Sequence, residues 1–355
     1  MTTFVSTHAP VRKLSRGAVW SILGLSVLLS FGFFSLLVLG GETSGFNIVG
    51  AILTSVVLYI VLIFAMSRLV EGARKAKDRL ATALVTSAFI VALLPLVSLV
   101  YTALTNGLNR LDGDFFNSSM RNVVGQGGGG LHAIIGTLEI TAAATVISVP
   151  IGIMTAVYLV EYGTGRLSRA ITILVDVMTG IPSIVAGLFA FALFALFFGP
   201  GIRFGIGGAV ALSVLMIHVV VRSTEEMLKI VPNELREASL ALGVPKWATV
   251  VKVVLPTSIG GIITGVMIAI SRIIGETAPL LIICGMSTSM NYDLFSGRMA
   301  TLPVFVYTQY SNQGTDAQAY LDRAWTGALV LILIVMVLNI LARILSKILA
   351  PKGSR

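Results

Sequence analysis

Eight stretches of this chain are long and apolar enough to cross a bilayer as helices, and that leaves few folds open. A crossing helix needs about 20 apolar residues. Residues 17–40, 47–69, 81–105, 133–159, 169–199, 207–228, 257–283 and 325–348 supply them. Of the 355 residues only 12% are charged and 56% are hydrophobic. A soluble domain carries about 25% charged residues, so this chain could not wet its own surface. The fold class is an all-α integral membrane protein. Arg12, Lys13 and Arg16 precede the first run, Gly17 to Leu39. That run exceeds the 7–15 residues of about a signal-peptide core and reads as an uncleaved span. The fifth stretch is long enough to be tilted or broken, and Gly180 with Pro182 supplies a breaking point.

Formal net charge is +9. In a soluble chain that would raise nucleic acid as a partner; here the charge sorts by side. With the N-terminus inside, nineteen Lys and Arg fall in inner segments and five in outer ones, leaving Arg272 within a span. The positive-inside rule then predicts that both termini are cytoplasmic. The single cysteine, Cys284, excludes a disulfide within the chain and reads as a packed small residue near a helix end.

Two outer loops, roughly 106–132 and 284–324, are long enough to cap a pore or meet a partner. The first holds Gly127 to Gly130. A phosphate-cradling loop needs a lysine and a Ser or Thr after its last glycine. Leu131 and His132 follow instead, so the run reads as a hinge. The three histidines are scattered at His8, His132 and His218, which argues against an intramembrane metalloenzyme.

Residues 231–256, VPNELREASLALGVPKWATVVKVVLP, break the apolar pattern. Asn233 reads as an N-cap, with Glu234 and Glu237 favouring the positive end of a short helix. Gly243 ends it as a left-handed cap, Pro245 starts a second short helix, and Pro256 marks the return to the membrane. Leu235, Ala238 and Leu242 share one face, opposite the two glutamates. A small amphipathic helix of this kind suits a groove on another protein. A helix lying on lipid would carry Lys and Arg instead.

The run Glu237-Ala238-Ser239, then Gly243 and Leu255-Pro256, resembles the E-A-A-x(3)-G-x(9)-I-x-L-P loop of ABC importer permeases. Ser239 stands for the second alanine and Val253 for the isoleucine. In that family the loop is a coupling helix seated in a separate ATPase. Two further runs, VMTGIPSIVAGL at 177–188 and ISRIIGETAPLL at 270–281, resemble the phosphate-specific transport permeases, PstA type. The resemblance covers 81–348. It implies a type I importer core of six spans, with two further spans at residues 1–80 and a C-terminal tail at 349–355.

Residue chemistry points the same way. Arg272 and Glu276 lie deep in span seven, four residues apart and so on one helical face. A charge at that depth costs about 2.5–3.5 kcal/mol on insertion scales and normally faces a cavity or a partner. Arg272 offers a planar fork to phosphate oxygens, with Glu276 as its counter-charge. Pro279 cannot donate to the carbonyl of Gly275, so a gate can bend there, as at Pro182. The resemblance adds Arg222 to the phosphate route.

The resemblance implies a non-enzymatic subunit of an ATP-driven phosphate importer in a bacterial inner membrane. Its partners would be a PstC-like permease, an ATPase dimer, an extracytoplasmic phosphate-binding protein and membrane lipid, with no nucleic acid. No cofactor is expected on this chain; ATP and Mg belong to the ATPase. The alternatives are the sister PstC-type permease, an importer of another oxyanion such as sulfate, and a stand-alone channel or secondary transporter.

Overall fold

The computed structural model describes residues 14–41 and 45–349, all helical or irregular. Seven helices are long and apolar enough to cross a membrane, and an eighth candidate is a pair bent by 111°. The chain divides into two compact units, one up to Val100 and one from Tyr101.

The first unit is a helical hairpin followed by most of a third helix. Helix α1 (Arg16–Leu39) is capped by Ser15 and α2 (Ile48–Val70) by Asn47, whose side chains accept the Ala18 and Gly50 N–H groups. The two run antiparallel: Ser30 Oγ donates to the Ala51 carbonyl at 2.6 Å. The Phe34 ring lies where a Cβ on Gly50 would stand, 2.8 Å away. At the other end of the hairpin the Glu71 carboxylate accepts from Leu14 N–H, the Ser67 hydroxyl and Arg79. Arg79 sits near the start of α3 (Ala73–Gly107), so this ion pair fixes the corner between α2 and α3. Only 2% of the Glu71 side chain is exposed. Its hydrogen bonds from Arg79 hold its pKa at about 2.

The second unit begins in the last turns of α3. It continues through α4 (Gly113–Asn117), α5 (Leu131–Val157), α6 (Arg166–Thr179), α7 (Ser183–Phe198) and α8 (Gly205–Ile230). Then come α9 (Asn233–Ala241), α10 (Lys246–Thr249), α11 (Leu255–Ile273), α12 (Ala278–Ile283), α13 (Leu302–Ser311) and α14 (Ala317–Leu349). Helix α8 is the central one. Its small residues let neighbours approach: a Cβ on Gly208 would lie 2.2 Å from Cys284 Sγ, and one on Gly207 2.5 Å from Ile283. Cys284 is buried just past the end of α12, a packed small residue as expected. Gly261 and Gly265 of α11 face Met227 and Ser223 of α8 in the same way. Such close contacts carry helix association in lipid, where water gives no hydrophobic drive.

The register between α5 and α8 settles how the bent pair is used. Ile140 lies beside Gly208, Ser213 Oγ reaches the Ala144 carbonyl at 3.4 Å, and Gly152 abuts Val220. Both numbers rise together, so α5 and α8 are parallel. The segment joining the end of α5 to the start of α8 must therefore travel the full thickness of the bundle. The pair α6–α7 makes that journey as one broken span, which brings the total among the described residues to eight. The break falls at Gly180–Pro182, where the proline N–H is missing.

The glycine run between α4 and α5 is not a free hinge. Gly129 lies where a Cβ would stand 2.5 Å from the Phe115 carbonyl oxygen. Arg323 donates to the Gly125 and Gly127 carbonyls, and Arg110 to that of Gly128. Close packing and two guanidinium groups hold this loop, and glycine serves there for approach. The segment between α12 and α14 contains α13, whose first turn is buried and whose Leu302 N–H donates to Thr137 Oγ1 of α5 at 2.7 Å.

Candidate translocation path and docking loop

The 231–256 loop departs from its expected form in three respects. Pro232, not Asn233, stands at the cap of α9, and Asn233 Oδ1 accepts from Arg236 instead. Pro245 likewise occupies the cap of α10 rather than its first turn. The second helix is also not a separate piece, because α10 runs through a π turn at Val250–Val254 directly into α11. Pro256 has no N–H for the carbonyl of Lys252, and the widened turn just before it accommodates that loss. So the 231–256 segment is one short helix plus the projecting end of a 28-residue helix, Lys246–Ile273.

Gly243 does make the elbow, with φ of +77°, a conformation open to glycine at little cost. Ser239 is buried and its Oγ lies 2.9 Å from Thr249 Oγ1, tying α9 to α10 across the elbow. Leu235, Leu242 and Trp247 are exposed, as are Glu237 and Ala238. An apolar and acidic face thus points away from the rest of the chain.

Arg236, which sequence reasoning counted only as loop charge, anchors this assembly. It donates to the Leu228 and Val231 carbonyls at the end of α8 and pairs with Glu161 at 2.9 Å. Glu161 lies in a π turn, Tyr158–Tyr162, that continues α5. Lys246 adds a contact over the Tyr162 ring, 5.1 Å from its centre. These contacts tie α9 and α10 to the ends of both α5 and α8.

Arg222 belongs to a four-residue chain of charges. Its guanidinium pairs with Asp176 on α6 and with Glu225 one turn along α8, at 2.8 Å for Glu225. Glu225 also accepts from Lys229 at 2.6 Å. The two carboxylates were not foreseen as its partners. This network links the broken span to the central helix.

Arg272 and Glu276 do not share a helical face. Helix α11 ends at Ile273, and Gly275 to Thr277 are not helical before α12 begins. No ion pair joins the two side chains among the described residues. The expected i,i+4 pair is undone by the break that Pro279 was expected to permit. Buried residues of α11 are Ser258, Ile262, Gly265, Ala269 and Ile273. Thr264, Ile268 and Arg272 form a separate exposed row at helical spacing. Arg272 therefore stands on the open side of its helix. The break itself is backed by α7: a Cβ on Gly187 would lie 2.5 Å from the Pro279 Cα. The GIPSIVAGL and GETAPLL runs, distant in sequence, meet at that contact.

The model for binding-protein-dependent transport system inner membrane components matches residues 148–355. The chain is 46% identical over 272 residues to phosphate transport system permease protein PstA 1 of Mycobacterium tuberculosis, covering 76% of this chain and 88% of the relative. It belongs to the PstA permease family. PstA of Mycobacterium leprae is 44% identical over 270 residues, and PstA of Pasteurella multocida 38% over 274, the latter covering 95% of the relative. The resemblance carried by GETAPLL and GIPSIVAGL is borne out. As a member of this family the chain is a multi-pass transporter subunit of the inner membrane.

Proposed function

We propose that this chain is the transmembrane subunit of an ATP-driven phosphate importer. It forms the path with a PstC-like permease and couples through residues 233–256 to a separate ATPase dimer. An extracytoplasmic binding protein delivers the phosphate, and ATP and Mg are handled by the ATPase alone. Residues 81–348 form the permease core, and both termini lie in the cytoplasm, a placement that the Lys and Arg distribution supports.

The observation that carries the reading is Arg272 on the open row of α11, at the edge of a helix break. A guanidinium at membrane depth is stable only beside a counter-charge or a water-filled path. Its fork matches phosphate oxygens, and a second permease completes the cavity. The nearby Glu276 and the hinge at Pro279 let the site change as the ATPase pushes on Glu237, Ala238 and Leu242. Ser239, Gly243, Leu255 and Pro256 hold that lever in shape. Pro182 supplies the second bend, against which Pro279 rests through Gly187. Arg222 lies on the same route, its charge balanced by Asp176 and Glu225 until phosphate arrives.

The test is ATP-driven uptake by the assembled transporter in vesicles, with labelled phosphate and a tenfold excess of unlabelled sulfate. Phosphate uptake that sulfate leaves within about twofold supports the assignment. Equal competition by sulfate would replace it with a general oxyanion importer.

A further inference from the structure

A groove of about 800 Å³ runs along the first unit between the α1–α2 hairpin and α3. We propose that it binds one anionic glycerophospholipid, its acyl chains between the helices and its headgroup at Lys75.

The walls are apolar along most of the length, with Trp20, Val27 and Phe31 from α1, Ile52 from α2 and Ile90 from α3. The groove is open along one side, so in the hydrocarbon layer its apolar walls are in reach of acyl chains. The charge at its mouth distinguishes which. Lys75, Asp78, Arg79 and Glu71 all line that end. Arg79 is committed to Glu71, and Asp78 lies beside Arg79 in the chain. Lys75 has no ion pair or hydrogen bond among the described residues. Arg74 and Lys77 flank it, and Arg16 and Arg68 lie in turns at the same end of the unit. Basic pockets between membrane helices recognise anionic headgroups. A transmembrane helix from another protein would fill the apolar walls equally well but would gain nothing from the excess of Lys and Arg over Glu71 and Asp78 at that end. The occupant therefore carries a negative phosphate at the basic end and hydrocarbon behind it. This assigns a purpose to the two spans that precede the permease core, and it does not depend on which solute the core moves.

The experiment titrates the delipidated full chain in detergent with phosphatidylglycerol or phosphatidylcholine of matched acyl chains. Native mass spectrometry counts the bound lipid. Phosphatidylglycerol is expected to bind at least fivefold more tightly. One basic residue near an anionic surface corresponds to about fivefold in affinity, so Lys75→Gln should lose that factor and Lys75→Arg should keep it. Ser87→Phe, which fills the groove wall, should reduce binding of both lipids. Lys75 is only half-buried, so its variants keep the test sound if Ser87→Phe fails to fold. Equal binding of the two lipids, or phosphatidylglycerol binding unchanged in Lys75→Gln, overturns the proposal. So does a groove closed to lipid in the assembled transporter, which would assign it to a partner helix.

Discussion

Arg236, Arg222 and Arg272 are three arginines of one chain with three different fates. Arg236 is anchored by two carbonyls and Glu161, Arg222 is shared between Asp176 and Glu225, and Arg272 is left open. The first two bind elements together, each balanced by carboxylates of its own chain. The third has no ion pair or hydrogen bond among the described residues, which leaves its fork open to the anion that the proposed function brings there. A fourth case, Glu71, lends itself to measurement. Its carboxylate titrates at about 2 instead of its ordinary 4.5. The unfolded chain therefore takes up the proton first as pH falls, and the stabilisation is complete above pH 4.5 and lost as pH approaches 2. Removing one partner of a buried pair costs about 3–5 kcal/mol. Glu71→Gln should lower unfolding resistance of the purified chain by the lower end of that range at pH 7. The gap between the two proteins should narrow steadily between pH 4.5 and 3, read by denaturant titration of intrinsic fluorescence. At this scale the sequence was only half informative. Arg272 stood out because depth in an apolar run is visible from spacing alone. The pairings Arg236–Glu161 and Arg222–Asp176 join residues 75 and 46 apart in the chain, and no periodicity reports a tertiary pair.

Breaks govern the elements. Glycine and proline at Gly180–Pro182 marked one break correctly, and Gly243 marked the elbow, because both act through local backbone chemistry. The end of α11 at Ile273 was harder to read: Pro279 forbids one hydrogen bond, yet the helix stops several residues earlier and resumes only at Ala278. The apolar run passes through without a change of composition. The continuity of α10 with α11 was hidden for the opposite reason, since Pro256 looked like a stop and is absorbed by a π turn. Packing between α7 and α12 decides whether the second break holds its shape. A side chain at Gly187 would meet backbone atoms of Pro279, which cannot swing aside. Gly187→Val should destabilise the chain by about 1–3 kcal/mol, the usual cost of overpacking, and should reduce uptake with it. Gly24→Ala, where nothing lies within 4 Å, is the matched control and should leave both within error.

Across the whole molecule, the second unit sets the exposed face of α9 and Arg272 at opposite ends of one helix, Lys246–Ile273. The proposed lever is α9 with the projecting end of that helix, and under the proposed function a push there would be carried to the break at Gly275. Arg236 ties the ends of the parallel helices α5 and α8 to the same region. The eight spans were legible in the apolar runs, while the parallel register that makes the bent pair a true span was not. The most direct measurement is phosphate uptake and ATP hydrolysis recorded together in the reconstituted transporter, for the native chain and for Arg272→Gln. Uptake should fall by more than tenfold while hydrolysis stimulated by the binding protein stays within about threefold. Undiminished uptake in that variant would contradict the placement of the phosphate path at Arg272.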